Sequence, residues 1–97
     1  MWVKIHKSSS RAVIAICDND LLGKKFEQDI RELNIRESFF KGTQMSKEEI
    51  LNLMRAESST ATFNIIGKDS INVAIQAGII EKEAIKRIKN VPFIIIV

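Results

Sequence analysis

The run Ala12–Cys17 constrains this chain more than any other feature. Its six residues carry no charge, and Val13, Ile14 and Ile16 are β-branched. Such a run reads as a strand buried on both faces. The segment before it, Trp2–Lys7, alternates: Trp2, Lys4 and His6 point one way, Val3 and Ile5 the other. That is the period of a half-buried strand. Ser8, Ser9 and Ser10 supply the turn between them, so the first seventeen residues predict a β-hairpin.

Asp18-Asn19-Asp20 breaks the second strand, and one helical turn capped by Asp18 or Asn19 is expected before Gly23. Within Ile30–Ile35, Leu33 and Ile35 alternate with Glu32 and Asn34, predicting an edge-like third strand. Phe39 and Phe40 fall in a connector that ends at Gly42. Ser46-Lys47-Glu48-Glu49 is a capping box, and the helix behind it presents Ile50, Leu53 and Met54 on one face. It should stop near Glu57, where Ser58, Ser59 and Thr60 compete for backbone hydrogen bonds. Ala61–Ile66 is a further strand ended by Gly67. A second helix follows, capped by Asp69 or Ser70 and closed by a left-handed Gly78. Ile85–Lys89 suits either a short helix or a strand. Pro92 starts or edges the apolar terminal strand Phe93–Val97, which is expected to lie centrally in the sheet.

The whole predicts an α+β fold: one domain over residues 1–97, with a mixed sheet of five or six strands and two main helices packed on one face. A chain of 97 residues has no room for two cores. Its longest apolar stretch is too short to span a bilayer, and no signal peptide is read at the start. A single cysteine makes no internal disulfide and points to a reducing, cytoplasmic home. One Cys and one His do not build a zinc site of the usual kind, and no metal or cofactor is expected.

The net charge of +3 is unevenly spread. Residues 1–25 hold five basic and two acidic groups, residues 26–57 five and seven, and residues 58–97 five and three. If folding brings the basic ends together, they make one cationic face.

Three constellations carry possible chemistry. Cys17 and Asp18 stand at the end of a buried strand, before Asp20, Gly23, Lys24 and Lys25. A nucleophilic cysteine needs a thiolate and a base, and His6 is the only imidazole; hairpin pairing brings it near the second strand, but alternation predicts His6 and Cys17 on opposite faces. The structural alternative is a buried thiol and a capping aspartate. Gly67-Lys68-Asp69-Ser70 enters a helix from a strand, where free amides can take an anion or a simple cap. It is not a phosphate-binding nucleotide loop, because Thr62 stands where the first glycine of that motif belongs. The third constellation is basic: Lys82, Lys86, Arg87 and Lys89 interleave with Ile85 and Ile88. It reads equally as phosphate contacts or as lysines guarding a sheet edge. Trp2 beside Lys4 and His6 is a stacking platform or, more ordinarily, core.

The order of these pieces resembles a known family. Lys4-Ile5-His6-Lys7, Val13–Cys17 with Asp18, Leu21-Leu22-Gly23-Lys24 and Phe26 match its start. Asn64-Ile65-Ile66-Gly67, Val73-Ala74, Gly78-Ile79-Ile80 and Val91-Pro92 match its later part in order. The chain resembles, over nearly its whole length, the archaeal domain-of-unknown-function family number four hundred and twenty-four. It departs from that pattern at Phe93, where a polar His is frequent, and at Asn90, where Gly is common. The resemblance implies a single-domain cytosolic archaeal protein. It carries no established activity, so no catalytic residue transfers.

The leading expectation is a nucleic-acid or ribonucleoprotein accessory, translation-linked, with Lys24, Lys25, Lys68, Arg87 and Lys89 as phosphate contacts. Next comes a homodimer or other protein-interaction module using the apolar tail and Trp2. An enzyme using Cys17 or Asp18 comes third.

Overall fold

The computed structural model describes residues 1–96. Strand β1 (Trp2–Lys7) turns back into β2 (Ala12–Cys17), antiparallel, with Trp2 opposite Cys17 and His6 opposite Val13. A 3-10 turn (Asn19–Leu21) leads to β3 (Lys25–Gln28) and β4 (Arg31–Asn34). A short helix α1 (Glu37–Phe40), strand β5 (Thr43–Gln44) and helix α2 (Lys47–Glu57) follow. Then come β6 (Ala61–Ile66), helix α3 (Lys68–Ala77), a 3-10 turn (Lys82–Ala84), β7 (Lys86–Ile88) and β8 (Val91–Ile96). The expected terminal strand starts two residues earlier than Phe93, and Val97 lies outside the described residues.

The main sheet is mixed and six-stranded, in the order β5-β1-β2-β6-β8-β7. Only β2 and β6 run parallel; the other pairs are antiparallel. A parallel pair needs a long crossover, and the chain between residues 18 and 60 supplies it. The fold is α+β. Both main helices pack on one face, where Ile50 and Met54 of α2 and Ile71, Val73 and Ala74 of α3 close over Ile14, Ile16, Phe63 and Ile65. The capping box forms as read: Ser46 Oγ accepts from the Glu49 N–H at 3.2 Å, and the Ser46 N–H donates to Glu49 Oε1 at 2.9 Å. No described helix is long and apolar enough to cross a membrane.

The opposite face is covered differently from the sequence expectation. Residues 25–34 do not join the sheet edge. They form their own two-stranded hairpin, β3 against β4, because the chain reverses at Asp29-Ile30 with Asp29 in the left-handed region (φ 57°). The alternation holds within it: Leu33 and Ile35 are buried, and Glu32 and Asn34 are exposed. Leu33, Ile35 and Phe40 pack on Ala15, Cys17, Ile66 and Ile88, with Trp2 at the margin. Trp2 is therefore core packing, with Lys41 Nζ 5.8 Å from its ring centroid. Phe39, read as connector, ends up in α1, where its ring stacks on His6 at 4.4 Å. The ambiguous segment before Asn90 is the edge strand β7, closed by a two-residue turn in which Lys89 and Asn90 both take positive φ.

Candidate anion-binding groove

The carboxyl ends of β2 and β6 meet at Asp18 and Gly67, the position where ligand clefts open in parallel sheets. The Asp18 N–H continues the ladder by donating to the Ile66 carbonyl at 3.1 Å. Its side chain leaves the 3-10 turn it was expected to cap and turns to α3. Asp18 Oδ2 accepts from the Asp69 N–H at 3.1 Å, and Oδ1 accepts from the Ser70 N–H at 2.8 Å and the Ser70 hydroxyl at 2.7 Å. Neither Asp69 nor Ser70 is the cap. Asp18, from another element, satisfies the free amides and compensates the helix dipole. Asp18 is 4% exposed and Ser70 fully buried. The amides at Gly67–Ser70, which the sequence leaves open to an anion or a simple cap, are thus taken by the protein's own carboxylate.

Gly67 allows this approach. It adopts φ 110°, and a Cβ there would overlap the Asp18 carboxyl carbon. Its N–H donates to the Pro92 carbonyl at 2.9 Å, fixing the start of β8 beside the end of β6.

The cysteine reading fares poorly on this geometry. Cys17 is fully buried, and burial, followed by the neighbouring Asp18 charge, pushes its thiol up to about 12. The hairpin register places His6 and Cys17 on the same face rather than on opposite ones. They remain four residues apart along that face, roughly 13 Å. His6 is committed elsewhere, with Nε2 2.9 Å from the Phe39 carbonyl. The Asp18 carboxylate is consumed by its three donors.

The cations divide into two groups. Lys68, Lys82 and Arg87 line one groove of about 310 Å³, together with Ile71, Asn72, Ile75, Ile85 and Pro92. No carboxylate lines it, and none of these three cations has an ion-pair partner among the described residues. Lys68 and Pro92 also border the smaller cleft of about 140 Å³ that opens at Asp18, Asp20 and Asn90. Lys89 stands in the turn that follows β7. Lys86 belongs elsewhere: strand alternation sends it to the other face, beside Phe93 and Ile95.

Lys24 and Lys25 are not gathered with that group. They stand at the base of the β3–β4 hairpin, the end away from its turn. Lys25 Nζ lies 3.4 Å from both Glu27 and Glu32, which hold its ammonium protonated and compensate its charge. Arg31, which sequence reasoning passed over, stands at the other end. Its Nη2 donates to the Arg87 carbonyl at 3.1 Å, while the Lys89 N–H donates to Gln28 Oε1 at 3.0 Å. The two turns, 29–30 and 89–90, are thereby tied side by side. No sequence signal announced this, since the partners lie 56 and 61 residues apart.

Comparison with known proteins agrees with these motifs. The family profile described as protein of unknown function (DUF424) matches residues 6–97. The chain belongs to this family. It is also similar to a solved structure, the crystal structure of an uncharacterized conserved protein from Methanopyrus kandleri. That likeness has a TM-score of 0.79 and 27% identity, covering 98% of this chain and 88% of the other. Comparison with curated proteins gives no match.

Proposed function

We propose that this DUF424 member is a cytoplasmic, archaeal-type accessory protein that binds RNA, alone or in a ribonucleoprotein, through the groove between α3 and β7. One observation carries the reading: Lys68, Lys82 and Arg87, from three separate elements, line a groove that holds no carboxylate. Cations so gathered release counterions from a phosphate chain together, which scattered cations do not. Lys89 follows in the turn after β7, and Arg31 reaches the Arg87 carbonyl at that edge of the sheet. The buried, unpaired Cys17 suits a reducing compartment. Fluorescence anisotropy with a labelled single-stranded RNA tests the reading. Log affinity should fall linearly with log salt, and Lys68→Ala with Arg87→Ala should weaken binding. Affinity that is the same at low and high salt overturns it.

A second reading, self-association, is supported by the outer edge of β8. Because the Gly67 N–H donates to the Pro92 carbonyl, Pro92, Ile94 and Ile96 direct their backbone polar groups toward β6. Those of Ile95 point the other way, to the side where the β7 ladder ends at Lys86, opposite Phe93. Ile95 is itself 61% exposed. An apolar strand edge of this kind favours pairing with another chain. A light-scattering mass that rises to a dimer, and returns to a monomer in Ile95→Lys, is the expected result. A monomer at all concentrations rejects it.

A further inference from the structure

We propose that Ile30, at the tip of the β3–β4 hairpin, is a wedge that enters between stacked bases of the RNA bound along the adjoining cationic groove. The inference rests on the RNA-binding reading above and adds a base contact to its phosphate contacts.

Ile30 is 101% exposed, so folding gains nothing from its side chain. Turn chemistry does not call for it either. The register Gln28 opposite Arg31 leaves Asp29 and Ile30 as the two loop residues, positions where Gly, Asn and Asp are the ordinary choices. Asp29 meets the demand for a positive φ, but a branched apolar side chain at the next position serves no local purpose.

The tip is held in place. Gln28 and Arg31 flank it; Gln28 Oε1 accepts from the Lys89 N–H in the neighbouring turn, and Arg31 donates to the Arg87 carbonyl of β7. A side chain presented this way loses little freedom on binding, which favours its use as an anchor. Its surroundings indicate the partner. Arg31 follows it in sequence, and Lys89 lies in the turn tied to it, two residues after Arg87 of β7; Asp29 is the one acid in the loop. An apolar point flanked by Arg31 and by Lys89 of the adjoining turn is complementary to a nucleic acid, in which phosphates surround apolar base faces. Isoleucine is among the side chains that wedge into base steps and unstack them.

The test uses the full chain and an RNA stem-loop carrying 2-aminopurine, whose fluorescence rises when it is unstacked. Binding of the natural chain should raise the fluorescence. Ile30→Ser should lower affinity about 10-fold and remove the rise, leaving the salt slope unchanged, because an apolar contact is lost and no phosphate contact is. Ile30→Leu should restore both. The exposed position makes unchanged thermal unfolding the expected control. If Ile30→Ser binds and fluoresces like the natural chain, the wedge is overturned while the RNA reading stands. The wedge is equally overturned if affinity falls but the natural chain produces no fluorescence rise, as when the tip serves a protein contact. If the natural chain binds no RNA, both fall together.

Discussion

Asp18 and Ser70, 52 residues apart, are joined by two hydrogen bonds, the Ser70 N–H and hydroxyl both donating to a single Asp18 carboxylate oxygen. This contact locks the end of β2 to the start of α3. Replacing Asp18 by Ala leaves three donors without their acceptor, at a buried helix end. The expected loss is roughly 2–4 kcal/mol, read by urea unfolding. A loss within error would mean that water replaces the carboxylate without cost.

Gly67 and Asp18 should behave as one unit. Gly67→Ala meets a positive φ and the Asp18 carboxylate together, so a destabilisation of about 2 kcal/mol or more is expected. The steric part disappears when Asp18 is also Ala. The double variant should therefore be more stable than the two separate losses imply. Additive losses would show that the backbone conformation alone opposes a side chain at Gly67.

The buried thiol makes a pH prediction. Cys17 is raised from an ordinary value of 9.0 to about 12. Between those values the unfolded chain has given up the thiol proton and the folded chain has kept it. Stability from this source is therefore complete below about pH 9 and is lost as pH rises toward 12. Urea midpoints at pH 8 and pH 10 should fall further for the natural chain than for Cys17→Ala. A thiol reagent should meanwhile react only on unfolding. Fast modification of the folded protein contradicts the burial argument.

The two groups of lysines separate the sequence expectation from the tertiary one. Lys24→Ala with Lys25→Ala should leave the salt slope of RNA binding unchanged. Lys68→Ala with Arg87→Ala should reduce its magnitude by about 1.4, at roughly 0.7 per phosphate contact on a single strand. A larger effect from the first pair would move the binding face to the base of the β3–β4 hairpin.

Local signals were legible wherever the residues that decide an element are close in sequence. The capping box at Ser46 and Glu49 set the start of α2, because both partners lie within one turn. Gly78, with φ 75°, closed α3 for the same reason. The alternation of Leu33 and Ile35 identified a strand, but not its partner. Alternation specifies which side chains are buried, and it is silent on which neighbour supplies the ladder.

The cap of α3 was misassigned for a related reason. Asp69 and Ser70 are chemically suitable caps, and nothing local excluded them. Asp18 holds the position because β2 and β6 are parallel and adjacent, so that their carboxyl ends coincide. The cationic residues were likewise countable in the chain but not groupable. Lys86 and Arg87 are neighbours in sequence and face opposite sides of the sheet, while Lys68 and Arg87 share a groove.

What the amino-acid order determined by itself was the first β-hairpin, the two main helices with their boundaries at Ser46 and Gly78, the strand Ala61–Ile66, the α+β class, and the burial of the Ala12–Cys17 run. These follow from backbone preferences and side-chain periods that act over a few residues. What only the tertiary structure decided was which carboxylate caps α3, which cations meet, and that Ile30 stands out at a tip. Those depend on strand order and on the separate β3–β4 hairpin, and contacts across 50 or more residues arise only when the sheet closes.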